Sequence, residues 1–92
     1  MDVFAFTNHQ ASVFEEKLKK LGSNIRRVRE ERGFTQEAFA QEFGIDRAYY
    51  GRIERGLINL SAKMIFMLAQ ALETSPDRFF ETDASQEMKD VK

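Results

Sequence analysis

The chain has 92 residues, the size of one domain, and it is 42% hydrophobic and 32% charged, which fits an ordinary soluble globular protein. It has no cysteine, which excludes disulfides, thiolate zinc sites and cysteine nucleophiles, and a domain this small has little room for a large catalytic cleft. The formal net charge of −1 hides a gradient: residues 17–55 hold ten basic and six acidic side chains (net +4), whereas residues 73–92 hold three and six (net −3). These features favour a binding module with its positive field in the middle of the chain.

The first ten residues do not resemble a signal peptide, because Asp2 stands where positive charge is needed and no long apolar run follows. Together with the lack of cysteine, this predicts a cytoplasmic protein with no membrane partner. We expect a loose N-terminal segment over residues 1–11, one folded domain over 12–81, and a polar tail over 82–92.

The hydrophobic pattern has helical periodicity and no alternating run long enough for a strand, so it predicts an all-α fold, a compact five-helix bundle. Ser12 with Glu15 forms a capping-box signature for the first helix, which ends at Gly33. Gly22 interrupts that helix, and an alternative is that the helix begins near Ser23 after a separate turn.

Two short helices follow. Thr35 is expected to cap the second, which ends at Gly44, and Asp46 to cap the third, over about 46–55, which ends at Gly56. The break between them is too short for antiparallel packing, so the two helices must cross steeply, as in a helix-turn-helix. Their expected core positions are Ala38, Phe39, Phe43, Tyr50 and Ile53.

Ser61 is expected to begin a fourth helix through Leu72, and Ser75 with Pro76 a fifth. The fourth helix has a core stripe formed by Ile65, Leu68, Ala69 and Leu72. It also has an apolar flank beside the stripe, which predicts that the helices over about 61–80 form a homodimer interface. The expected interface residues are Met64, Phe66, Met67, Ala71 and Phe80. The alternative is that Phe66 and the methionines fold under the N-terminal turns around Phe14 and Leu18.

The segment TQEAFAQEFGIDRAYYGRIERG resembles the DNA-binding core of the Xre (Cro and phage-repressor type) helix-turn-helix regulators. The similarity extends from about Leu21, through IRRVREERGFTQE, to ALETSPDRFF, and within the family IDRAYYGRIERGLINLSAK is most like the controller proteins of restriction–modification systems. The resemblance implies a homodimeric transcriptional regulator that binds double-stranded DNA at a pseudo-palindromic operator in its own promoter. A phage-type repressor, or an antitoxin that also binds a protein partner, is the alternative.

The pattern of residues around the third helix predicts which side chains contact DNA bases. At about 100° per residue, Arg47, Ala48, Gly51 and Arg52 lie on one arc, where two long donors frame two small residues. Arginine can bridge guanine O6 and N7, and an alanine methyl can touch a thymine methyl, so this arc suits the major groove. We therefore predict base contacts from Arg47 and Arg52, and the resemblance implies the same two positions, together with Ala48. Tyr49 lies between this arc and the core, and both a DNA contact and simple packing stay open.

The expected phosphate contacts flank the third helix. Gln36 lies in the first turn of the second helix, where backbone N–H groups favour an anion, and the family resemblance implies the same role. Arg55 and Asn59 follow the third helix as backbone clamps, and Thr35 completes the expected set of phosphate contacts beside its role as a cap. Glu54 is expected to point inward and, as the resemblance suggests, to pair with Arg26 or Arg29.

No catalytic residue is expected. His9 is the only histidine, and no carboxylate pair has the spacing of a metal site such as HExxH, so we predict no metal, no cofactor and no small-molecule ligand. A helical module that binds only a protein partner is the other alternative, because the apolar flank of the fourth helix suits that role equally well.

Overall fold

The computed structural model describes residues 8–82, with side chains from residue 11 onward. Within that range the chain is all helical, which confirms the predicted fold class, with four α-helices and one 3₁₀ helix. They are α1 (Asn8–Glu31), α2 (Gln36–Phe43), α3 (Arg47–Glu54), α4 (Ala62–Ala71) and the 3₁₀ helix Pro76–Phe80. Residues 1–7 and 83–92, which include most of the expected loose segment and tail, lie outside the described residues.

The prediction of five α-helices is wrong, because the last helix is a 3₁₀ segment of five residues. The Ser75 hydroxyl donates to the Asp77 carboxylate and accepts no backbone N–H, so the expected cap is not formed. Phe79 is fully buried, and this one aromatic side chain anchors the segment on the core.

Helix α1 is longer than predicted. It begins at Asn8, inside the segment expected to be loose, and continues through Ser12 and Gly22. The capping box at Ser12 and the alternative start near Ser23 are therefore both wrong. Gly22 is needed because α1 crosses the end of α3 there: a methyl group on Gly22 would lie 2.3 Å from the Glu54 carbonyl oxygen and 2.6 Å from that of Ile53.

The predicted caps of the next three helices are confirmed. The Thr35 hydroxyl oxygen accepts the Ala38 N–H at 3.0 Å, an Asp46 carboxylate oxygen accepts that of Tyr49 at 3.0 Å, and Ser61 accepts that of Met64 at 3.1 Å. Gly44 ends α2 at φ 89°, a left-handed conformation that favours glycine, and this fixes the short turn into α3.

The core joins all five elements. Phe39 lies at its centre, with ring centroids 5.2 to 5.5 Å from those of Phe34, Phe43 and Tyr50. Ala38 is exposed, contrary to prediction, and Ala40 is buried in its place, because two residues further along α2 the side chain points to the opposite, core-facing side of the helix. The buried hydrophobic residues are Leu21, Ile25, Val28, Phe39, Ala40, Tyr50, Ile53, Leu68, Ala69, Leu72 and Phe79.

A buried amide fixes the end of the chain on α1. Asn24 is fully buried, and its Nδ2 donates to the carbonyl oxygens of Phe79 and Glu81, each at 2.9 Å. Its Oδ1 accepts from Arg27 at 2.7 Å, so every polar atom of the amide has a partner. The 3₁₀ helix is therefore held against α1 by hydrogen bonds as well as by Phe79.

Candidate nucleic-acid interface

Helix α3 presents a narrow polar face to solvent. Arg47, Ala48 and Arg52 are exposed, and the opposite side of the helix is buried in the core. Gly51 was expected on the exposed arc, but it is buried beneath the side chains of two other residues. A methyl group on Gly51 would lie 3.4 Å from Arg55 Nη1 and 3.7 Å from Gln36 Oε1, so both side chains lie directly over this glycine.

Tyr49 supports the neighbouring arginine. It is half-buried and packs against the core, and the Arg52 guanidinium carbon lies 5.8 Å from the centroid of its ring. A cation over an aromatic face is attracted to it, which limits the directions that Arg52 can adopt. The ring therefore orients a candidate base-reading side chain.

A buried ion pair ties the helix-turn-helix to α1. Arg29 donates to both carboxylate oxygens of Glu54, at 2.6 and 3.1 Å, and to the Phe34 carbonyl oxygen at 2.6 Å. The predicted pairing of Glu54 with Arg29 is confirmed, whereas Arg26 pairs with Glu30 on the exposed side of α1. Because the pair joins the first and third helices, it sets the angle at which α3 is presented.

Glu54 also holds Gln36, a contact that the sequence did not reveal. The Gln36 Nε2 donates to Glu54 Oε1 at 2.8 Å, so the side chain at the start of α2 is fixed by the carboxylate at the end of α3. Gln36 Oε1 faces Gly51, near the Arg55 guanidinium. Two predicted phosphate contacts, Gln36 and Arg55, are thereby brought side by side.

Burial alone would raise the pKa of the Glu54 carboxyl, but the hydrogen bonds from Arg29 and Gln36 and the positive charge of Arg29 outweigh it, and the pKa lies below its ordinary value. The hydrogen bond to Glu54 raises the pKa of Arg29, and burial raises that of the Tyr50 hydroxyl. The carboxylate and the guanidinium are therefore both charged in the folded protein at neutral pH.

We expect this ion pair to make stability pH-dependent in acid. Since the pKa of Glu54 is lowered on folding, its contribution is fully present above the unfolded value, near 4.5, and is lost as the pH falls through the folded pKa. Urea unfolding followed by circular dichroism from pH 7 to pH 3 should show this loss. It should be smaller in Glu54→Gln, while Glu16→Gln, an exposed control, should follow the unaltered protein. Equal acid profiles for all three proteins would contradict the assignment.

The charged side chains divide into engaged and free groups. The described arginines outside α3 and its end are paired with carboxylates or carbonyl oxygens, as in the bonds from Arg32 to the Glu73 carbonyl and from Arg78 to Glu31. Within residues 11–82, Arg47, Arg52 and Arg55 form no ion pair. Free guanidinium groups are thus concentrated on one surface.

The remaining predicted phosphate contacts are Thr35 and Asn59. Thr35 is exposed and engaged as the cap of α2, which leaves its hydroxyl hydrogen available. Asn59 is exposed in the loop after α3, beside Leu18 and Leu57.

The predicted dimer residues are split by burial. Met64 and Ala71 are half-buried against the core, whereas Phe66, Met67 and Phe80 are 60%, 44% and 56% exposed. The alternative that Phe66 and Met67 fold under the first turns of α1 is therefore wrong within the described residues. Three large apolar side chains stay open to a second chain.

Two other features are absent from residues 8–82. No group of three or more histidine, cysteine, aspartate or glutamate side chains is arranged to hold a metal ion. None of the described helices has the length and apolar character to cross a membrane.

Comparison with known proteins gives consistent similarities. The model of the helix-turn-helix family HTH_3 matches residues 25–79. The chain is 40% identical over 57 residues to the HTH-type transcriptional regulator y4dJ of Sinorhizobium fredii, which covers 62% of this chain and 74% of the relative. Among solved structures it is similar to the restriction–modification controller protein C.AhdI from Aeromonas hydrophila, with a TM-score of 0.65 and 40% identity over 71% of this chain and 98% of that one.

A second solved controller protein is similar in fold and was determined with DNA. This is the C.Esp1396I tetramer in complex with its natural 35-base-pair operator, which has a TM-score of 0.60 and 38% identity. The match covers 68% of this chain and 83% of that one.

Proposed function

The chain belongs to the helix-turn-helix family, and on that premise we propose that it is a sequence-specific DNA-binding transcriptional regulator of the restriction–modification controller type. The observation that carries the proposal is the exposed face of α3, where arginines without ion pairs among the described residues flank a small side chain. The similarity to controller proteins favours this function over that of an antitoxin or a phage-type repressor.

Base recognition would come from α3. Arg47 and Arg52 can each donate two hydrogen bonds to one guanine, and the Ala48 methyl between them can contact a thymine methyl. Tyr49 lies under Arg52 and limits its motion, so less conformational freedom is lost on binding. We assign Tyr49 mainly this supporting role.

Backbone contacts would fix the register of α3 in the groove. Gln36 and Arg55 lie together above Gly51, so they suit one phosphate or two adjacent ones, and Thr35 lies at the start of the same helix as Gln36. Asn59 would contact the backbone from the other end of α3. Such contacts position the protein without reading sequence.

We expect Arg47→Ala and Arg52→Ala each to weaken operator binding by roughly 5- to 150-fold, the equivalent of about 1–3 kcal/mol for a lost bidentate base contact. Affinity for unrelated DNA should change by much less. Arg26→Ala, which removes an exposed arginine from α1, is the matched control. Fluorescence anisotropy with both DNA sequences measures the difference, and equal affinities for all four proteins would count against the assignment.

A two-fold dimer would place two copies of α3 in successive major grooves, with half-site centres about 34 Å apart. Phe66, Met67 and Phe80 are the exposed apolar side chains of the proposed dimerisation elements, over about 61–80. We propose that these elements and the DNA-binding helices form one folded unit over about residues 12–81, with α1 extended back to Asn8.

The dimer should dissociate when the exposed apolar side chain of α4 is made polar. Phe66→Ser should raise the dimer dissociation constant by at least roughly tenfold, because burying a large apolar side chain stabilises the dimer by about 1.5–3 kcal/mol and serine loses this contribution. Leu57→Ser is the control, since Leu57 and Phe66 are both 60% exposed. Sedimentation velocity over a range of concentrations distinguishes them. A monomeric unaltered protein would contradict the dimer.

We propose that occupancy follows protein concentration through this dimerisation, as a regulator feeding back on its own promoter requires, and that the protein acts in the cytoplasm. Footprinting on the DNA upstream of its own gene should protect a two-fold site, with an affinity that falls steeply as salt rises. No protected site would contradict the DNA-binding function. A dimer that does not dissociate at the lowest measurable concentrations would contradict control by dimerisation.

A further inference from the structure

The first half of α1 precedes residues 25–79, which match the family, and it runs alongside the end of α3. Contact between the two is made by backbone. A methyl group on Gly56 would lie 2.6 Å from both the Lys19 Cα and the Lys19 nitrogen. The backbone of Lys19 is therefore held directly against Gly56, the residue that follows Arg55.

Lys19 shares a shallow concavity with the loop after α3. The concavity is lined by Glu15, Leu18, Lys19, Gly56, Leu57 and Asn59. Lys19 is exposed, and it makes no ion pair with any described residue, including Glu15 one turn away on the same helix. Lys19, which has no ion pair among the described residues, thus lines the same concavity as Asn59, which we place at a phosphate.

Two other lysines of this part of α1 lie elsewhere. Lys17 and Lys20 line a groove with Leu21, Phe79 and Phe80, between α1 and the 3₁₀ helix. Of the three lysines in residues 17–20, Lys19 is thus the one that lines the concavity at the end of the recognition helix. This arrangement provides a neighbouring lysine of equal charge as a control.

We propose that Lys19 binds a phosphate of the DNA strand contacted by the loop after α3, which adds a backbone contact from the extended α1. The inference rests on the proposed function. Lysine suits this role because its ammonium group is a mobile point charge that needs no particular geometry, and such a contact adds affinity without sequence information. Glu15 lines the same concavity, and its negative charge repels a phosphate there. Removing the charge of Glu15 should therefore strengthen DNA binding.

The test is the salt dependence of binding to the operator and to unrelated duplex DNA, by fluorescence anisotropy. Loss of one phosphate contact should reduce the slope of log affinity against log salt by about 0.9, equivalent to roughly eightfold weaker binding at 0.1 M salt. We expect this of Lys19→Ala on both DNA sequences. Lys19→Arg should keep the slope, and Lys20→Ala should match the unaltered protein.

Glu15→Gln supplies a change of opposite sign, which loss of folding cannot imitate. It should raise affinity roughly twofold, since exposed charges closer than a Debye length are only partly screened. If Lys19→Ala and Lys20→Ala have equal slopes while the unaltered protein binds its operator, this inference is overturned and the proposed function stands. If the unaltered protein shows no preference for any operator, the proposed function fails and this inference fails with it.

Discussion

Glu54→Leu should lower the free energy of unfolding by about 3–5 kcal/mol, because removing one partner leaves an unpaired guanidinium in the interior. Arg29 is 5% exposed, and it directs hydrogen bonds to both oxygens of the Glu54 carboxylate. The substitution also removes the acceptor of the Gln36 amide. For a domain whose total stability is of the order of 5–15 kcal/mol, a loss of this size is a large fraction of the whole.

Replacing both partners separates the loss of the pair from the exposure of one charge. Arg29→Met with Glu54→Leu should recover most of the loss, since a well-packed apolar pair often matches a buried ion pair in stability. Urea unfolding of the single and double variants gives the three free energies. If the double variant is no more stable than Glu54→Leu, the unpaired guanidinium is not the cause of the loss. If Glu54→Leu alone lowers the free energy of unfolding by less than about 1 kcal/mol, the ion pair does not hold α1 and α3 together as described.

Gly22→Ala should destabilise the protein by about 1–3 kcal/mol, as overpacking of a close contact usually does. Helix propensity predicts the reverse, a gain of roughly 0.5–1 kcal/mol for alanine inside a helix. The difference arises because the new methyl group would lie 2.3 Å from the Glu54 carbonyl oxygen, and this oxygen belongs to backbone that cannot rotate away. The two helices would have to separate at their crossing.

Ser23→Ala is the control for Gly22→Ala. Ser23 is the next residue of α1 and is exposed. Its substitution therefore measures the effect of helix propensity alone, without the close contact to α3, and should be neutral or slightly stabilising. Thermal unfolding of the two variants at one protein concentration compares them. If Gly22→Ala is as stable as Ser23→Ala, α1 and α3 do not approach as closely as described.

Local rules predicted the helix ends well. Thr35, Asp46 and Ser61 are caps, and Gly44 is the left-handed stop after α2, because these features depend on residues within one turn of each other. The same rules failed at Ser12, where a capping signature lies inside a continuous helix. A capping pair identifies a possible helix start, but it does not exclude helical residues before it.

Long-range packing explains the other differences. Gly22 reads as a helix breaker, and its role is visible only once α3 crosses it 31 residues later. Gly51 reads as part of an open arc, but Gln36 from the start of α2 and Arg55 at the end of α3 cover it. The ion pair between Arg29 and Glu54 was expected from the family resemblance, whereas the hydrogen bond from Gln36 to Glu54 has no periodic or local signature.

The identity of the bases read by α3 tests the central claim most directly. Affinities should be measured for the unaltered protein, Arg47→Ala and Arg52→Ala on the operator and on each single-base-pair substitution of it. We predict that each variant loses discrimination, by about 1–3 kcal/mol, at one two-fold-related pair of positions and keeps it elsewhere. If both variants lose affinity equally for every sequence, these arginines contact only phosphates, and the assignment of α3 as a base-reading helix through them is wrong.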